Sequence, residues 1–246
     1  MLIWNKPKSV TIDCFTPVQA IADNVPIAHA KEVTPKFFKE LNTPKKDPNL
    51  VTAGIKSDIK DCQALIDINN RGIVVPLWCS LLFQGNFVED EKGFTDYHHK
   101  WSITDANYSG MQPFNPLDWG VDSQKVHNMK QIYYQFKSPW RIKSNKYVQF
   151  IQTNTFWHHM SHDFFVMNGV LDYYHQNAVS CIYAIGKKKD QEVELPAGTP
   201  VMQILPLEKV NLKIKIHCVT EQEWNKLAPY FMFWNKNALR LRKIRK

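Results

Sequence analysis

Residues 166–205 read VMNGVLDYYHQNAVSCIYAIGKKKDQEVELPAGTPVMQIL. The stretch divides into short runs of Val, Ile, Leu and Tyr separated by turn residues, which is the pattern of successive strands in a sheet protein. FFVMNGVLD (164–172) overlaps its start, AVSCIYAIG and EVEL follow, and a Pro196-Ala197-Gly198 turn opens VMQILPL. Two polar residues stand out against this background. Asp172 ends an apolar run at a glycine-containing turn, a place from which a carboxylate can project into a cleft. Gln203 lies in the middle of the closing strand. There its amide and carbonyl need a partner, which can be a ligand, a neighbouring subunit or backbone.

The same pattern extends outward. QIYYQFK, WRIKS and KYVQFIQT precede the stretch and LKIKIHC follows it, so residues 130–217 are nearly all β. Short strands at this spacing predict an antiparallel sandwich, jelly roll or small barrel. In NLKIKIHCV, Leu212, Ile214 and Ile216 point one way and Lys213, Lys215 and His217 the other. TEQEWNKL predicts a helix over 220–228, with Thr220 and Glu223 as a capping box. TPKFFKEL (34–41) predicts a helix with Thr34 as N-cap and Pro35 in its first turn. A further helix is expected over 57–68, stopped by residues 70–72. Pro76 places an edge or bulge in IVVPLW. Residues 86–125 read as a long loop with short strands. The expected organisation is one domain: 1–129 an N-terminal arm, helices and loop on the body, 130–217 a β-barrel core, and 218–246 a C-terminal helix and basic tail. The expected fold class is mainly β with a few peripheral helices.

Bulk composition narrows the function classes. The chain has 246 residues, 44% of them apolar, enough for a sizeable core. Its net charge is +8, but Lys236, Arg240, Arg242, Lys243, Arg245 and Lys246 alone supply six of those charges. That tail is a candidate contact for nucleic acid or an acidic surface. Just before it, residues 230–234 (YFMFW) form an aromatic and aliphatic patch suited to an interface between subunits. Five widely spaced Cys without a C-x-x-C predict reduced thiols and no cysteine zinc site. No signal-peptide core and no bilayer-length apolar run are present in the sequence, so no membrane partner is expected.

WHHMSHDFF (157–165) brings His158, His159, His162 and Asp163 together. His158 and His162 are four apart, so one helical turn could aim both at a metal, with Asp163 completing the set. No P-loop, Rossmann fingerprint or G-x-S-x-G occurs, and no cofactor is expected.

Residues 166–205 resemble the trimeric dUTPase and dCTP deaminase family. Gly169-Val170-Leu171-Asp172 matches its Gly-hydrophobic-hydrophobic-Asp turn, and Gly198, Val201 and Gln203 match its closing strand. The resemblance implies a dUTPase-like β scaffold of the β-clip type and a homo-oligomer, a trimer in that family. It also implies a nucleotide site in which Asp172 orients the attacking water and Gln203 hydrogen-bonds near the nucleotide. The family's Arg-Ser phosphate motif is replaced here by Thr153 and Asn154. That substitution removes the forked cation best suited to a triphosphate.

The order of TPKFFKEL, IKSDIKDCQALIDINNRGIVVPLW, FKSPWRIKSNKYVQFIQ, NGVLDYYHQN and LPAGTPVMQILPL is similar to an uncharacterised family encoded by tailed phages of marine bacteria and cyanobacteria. That resemblance implies a virion or host-cytoplasm location and virion proteins as partners. Together these readings lead to the expectation of a non-catalytic phage binding, structural or accessory protein with Asp172, Gln203, Thr153 and Asn154 as ligand-facing positions. The alternatives are a nucleotide hydrolase or deaminase with Asp172 as catalytic carboxylate, and a metal-dependent enzyme using His158, His162 and Asp163.

Overall fold

The computed structural model describes residues 7–35, 62–89, 91–93, 95–104, 114–116, 131–155, 158, 164–175 and 177–227. The strands are β1 (Lys8–Thr16), β2 (Ala28–His29), β3 (Ile73–Pro76), β4 (Leu81–Glu89), β5 (Thr95–Ile103), β6 (Phe114–Pro116), β7 (Gln131–Ser144) and β8 (Gln149–Thr153). They continue with β9 (Phe164–Val166), β10 (Gly169–Asp172), β11 (Ala178–Gly186), β12 (Gln191–Leu195), β13 (Pro200–Pro206) and β14 (Val210–Cys218). The helices are α1 (Gln19–Asn24), α2 (Gln63–Arg71) and α3 (Glu221–Lys226).

The chain is mainly β, with few helices. Sheet A runs β14-β1-β7-β11-β9 with β6 also on β7, sheet B runs β10-β8-β13-β3-β2, and sheet C runs β12-β4-β5. Among the described residues no sheet closes into a barrel. Among the described strands every pairing is antiparallel except one: β1 lies parallel to β14 over its whole length, from Lys8↔Val210 to Thr16↔Cys218.

Alternation along the strands turns one side of each toward a shared apolar core. Val10, Ile12 and Cys14 of β1, Phe136 and Ile142 of β7, Phe150 of β8, Met202 and Ile204 of β13 and Phe83 of β4 are all fully buried. Ring contacts link the sheets: Phe83 meets Trp101 at 4.9 Å between centroids, and Trp101 meets Tyr134 of sheet A at 5.8 Å, edge-on. Such geometry adds to area burial.

The N-terminal part supplies more strand than its proline-rich sequence predicts. β1 sits inside sheet A between β14 and β7, and β3 lies beside β13. Residues 86–103, expected as loop with short strands, belong largely to a hairpin in continuous register from Leu81↔Ile103 to Glu89↔Thr95. Its inward positions are Phe83, Gly85, Tyr97 and Trp101. Gly85 and its partner His99, on the same face, interrupt that alternation. The Pro76 bulge is present as a register shift between Pro200 and Met202 opposite β3.

α2 begins after Cys62 rather than at the expected start near 57, runs to Arg71 and stops at Gly72 as expected; residues 57–61 and 36–41 of the two expected N-terminal helices lie outside the described residues. α3 carries the predicted capping box. Glu223 N–H donates to Thr220 Oγ1 at 3.3 Å, and Thr220 N–H donates to Glu223 Oε2 at 3.0 Å. The Thr220 N–H and hydroxyl, both donating to Glu223 Oε2, hold that carboxyl below its usual range. No described helix is long and apolar enough to cross a membrane.

Candidate functional site

The positions singled out from sequence fall on sheet B. Phe150 of β8 points into the core, so Gln149, Ile151 and Thr153 face outward. Register then sorts the outer face into rows: Thr153 beside Gln203 and Val74, Val170 beside Ile151 and Leu205, and Asp172 beside Gln149. Leu207 continues the last row, its N–H donating to Gln149 O at 2.9 Å.

These rows separate the two residues that prompted the reading. Asp172 and Gln203 stand on opposite sides of β8 and four residues apart along it. At about 3.4 Å per residue and about 4.8 Å per strand, they are roughly 16 Å apart within one subunit. The two side chains therefore do not converge on one point of the outer face.

Gln203 is buried, and its Nε2 donates to Ile68 O at 3.1 Å. Ile68 is in the last turn of α2, where carbonyls lack an intrahelical donor. The glutamine in an otherwise apolar strand therefore fastens a helix end to the sheet. Gly72, which ends that helix, passes so close that an added Cβ would lie 2.7 Å from Leu205 Cδ2 and 2.9 Å from Gln203 Nε2. Replacing Gln203 by Leu is expected to cost about 1–3 kcal/mol, because the buried carbonyl loses its donor. Urea denaturation reads the cost, and hydrogen exchange should show α2 opening more often. Unchanged protection in α2 would count against the fastening role.

Asn154 Oδ1 accepts the Val166 N–H at 2.6 Å, holding the end of β9. Thr153 ends β8 half-buried, opposite Gln203. Asp172 is partly exposed. One oxygen accepts the Tyr174 N–H at 2.9 Å, closing the turn after β10, and the other lies 2.6 Å from His175 Nδ1. Tyr147 and Tyr174 flank that imidazole at 5.9 and 4.9 Å between centroids. The Asp172–His175 pair is an addition to the predicted set. Its sequence signal is the three-residue spacing across a tight turn.

The outer face also carries an apolar strip at the sheet's edge: Val170 is 60% exposed and Leu207 51%, with Ile151 and Leu205 half-buried between them. β10 is the terminal strand of this sheet.

Of the histidine cluster, only His158 is described. Burial lowers its pKa, partly offset by a hydrogen bond to the Val33 backbone, and so favours the neutral imidazole. His162 and Asp163 lie outside the described residues, as do the aromatic patch 230–234 and the basic tail. Among the described residues no three metal-ligating side chains converge.

Comparison with known protein families, characterised proteins and solved structures finds no match to this chain.

Proposed function

We propose that the chain is a non-catalytic binding protein, a structural or accessory component of a tailed phage built on a dUTPase-like scaffold. The observation that carries this reading is the internal engagement of the groups a nucleotide would need. Gln203 serves α2, Asn154 serves β9, and Asp172 serves its own turn and His175. The three outer rows of sheet B contain no Lys or Arg to meet a triphosphate. The most exposed apolar side chains there are Val170, on the edge strand, and Leu207. Such a surface suits a protein partner, and a second copy of this chain is the partner proposed, in keeping with the oligomeric family that the sequence resembles.

The test is titration of the full chain with dUTP and dCTP by calorimetry, alongside a hydrolysis assay. No binding heat and no turnover are expected. Turnover in the usual enzyme range of about 1–10³ per second, abolished by Asp172→Asn, would replace this reading with the hydrolase one. Light scattering should find an oligomer that Val170→Asp dissociates, and mass spectrometry of purified particles should find the chain in the virion. A monomer absent from particles would leave neither proposed role standing.

A further inference from the structure

The opposite side of the molecule carries a different surface. On sheet A, Ile12, Cys14 and Ile142 point into the core, so the intervening residues face out. Register places them in rows across β14, β1 and β7. One row is Lys215, Asp13 and Lys143, the next is His217, Phe15 and Arg141, and Lys213 stands beside Thr11 in a third. Rows of one face repeat at about 6.8 Å. Lys143, Lys213 and Lys215 are exposed.

Two features go beyond a solvated basic face. The Phe15 and His217 rings stack face to face at 4.8 Å with planes 18° apart, so the outer ring face of this stack is the platform among the cations. Arg141 lies 3.9 Å over the Trp224 ring, whose Nε1 donates to Pro139 O at 2.9 Å, so a second aromatic plane borders the face. The carboxylates nearby are few. Asp13 is held by His217 Nε2 at 2.8 Å, Glu223 is engaged in the α3 cap, and Glu221 is exposed at the helix start. Edge-strand lysines by themselves serve to block strand addition. Lys143, however, belongs to β7, where it pairs with Asp13 of β1, so edge protection does not account for it.

We propose that this face of sheet A binds single-stranded nucleic acid, with phosphates over Lys143, Lys213 and Lys215 and a base stacked on the Phe15–His217 platform. Spaced cations with an aromatic plane between them are the chemistry that recognises an unpaired strand, whose bases are free to stack. A duplex offers the same charge without accessible base faces.

Fluorescence anisotropy on the full-length chain tests the proposal. The probes are labelled oligo-dT and oligo-U of about 16 nucleotides and a duplex of equal length, at about 50 mM salt. Both single strands should bind more tightly than the duplex. Lys143→Ala with Lys215→Ala should weaken binding about tenfold and reduce the salt slope by about 1.4. Phe15→Ala should weaken it about five- to a hundredfold. The equal-charge control, Lys100→Ala on sheet C with Lys189→Ala in the turn before β12, should change it less than about twofold. Circular dichroism checks that each variant is folded, and the lysine pair, being exposed, keeps the test valid if Phe15→Ala does not fold. The proposal is overturned by absence of binding, by equal losses in the two lysine pairs, or by binding that survives the sheet A changes and so comes from the tail. Equal affinity for duplex and single strands would also overturn it.

Discussion

Gly85→Val is expected to destabilise the protein by about 3–5 kcal/mol, a large share of a typical total of about 5–15 kcal/mol. On strand preference alone the sign would be reversed, since glycine inside a strand costs about 0.5–1 kcal/mol relative to alanine. Packing decides otherwise. Gly85 of β4 faces His99 of β5 and Gln191 of β12. The Tyr97 ring crosses over it so that Tyr97 Oη can donate to Gln191 Oε1 at 2.6 Å, with both residues buried. A Cβ at Gly85 would overlap the tyrosine hydroxyl and lie 2.6 Å from ring Cζ. The ring must then move, breaking a buried hydrogen bond as well as the packing. The check is a double-mutant cycle by urea denaturation. Gly85→Ala should be costly in the native background and much cheaper beside Tyr97→Ala, with a coupling of about 1–3 kcal/mol. Equal costs in the two backgrounds would show that Tyr97 is not what excludes a side chain there.

Alkaline unfolding is the other large effect. Cys14, Cys181, Tyr134, Tyr173 and Tyr183 are buried, and burial raises each of their pKa values well above the ordinary 9.0 for the thiols and 10.0 for the phenols. The Tyr173 hydroxyl has no hydrogen-bond partner among the described residues, so its ionised form would have no local compensation. These groups are neutral when protonated, and the fold favours that form. Their contribution is therefore fully present below the unfolded values and is lost as pH rises through them, because the unfolded chain then binds fewer protons than the native one. Each group adds a slope of about 1.4 kcal/mol per pH unit once it ionises only in the unfolded chain. Five together approach about 7 kcal/mol per pH unit above pH ~10. Urea midpoints measured from pH 8 upward should be flat at first and then fall steeply, with tyrosinate absorbance appearing in step with unfolding. Cys14→Val with Cys181→Val should soften the first part of the fall. A midpoint that holds a full unit above the phenol range would contradict the burial of these groups.

Much of this architecture is legible from local pattern. The strands after residue 164, the α3 capping box and the stop at Gly72 follow from alternation, a Thr-x-x-Glu and a glycine. What escapes is set by partners distant in sequence. Gln203 is recognisable as a strand residue in need of a partner, but the Ile68 carbonyl is 135 positions away and nothing near Gln203 names it. The separation of Asp172 from Gln203 depends on how both strands register on β8, which neither segment encodes alone. The β4–β5 hairpin is hidden because its inward aromatics are interrupted by Gly85, the residue that makes room for Tyr97. The basic face of sheet A is half visible as Lys213, Lys215 and His217, while its other half comes from β7, about seventy residues earlier.

The parallel pairing of β1 with β14 has a consequence for biosynthesis. The ribosome makes Lys8–Thr16 about 200 residues before Val210–Cys218, one of that strand's two neighbours. At about 5–20 residues per second, this is a wait of about 10–40 s. Through that time Val10, Ile12 and Cys14 belong to a segment with unsatisfied backbone on at least one side. Pairings this distant form slowly even once the chain is complete. Shielding of β1 until β14 arrives is therefore expected to aid folding, and yield in a cell should rise with chaperone capacity and with faster translation.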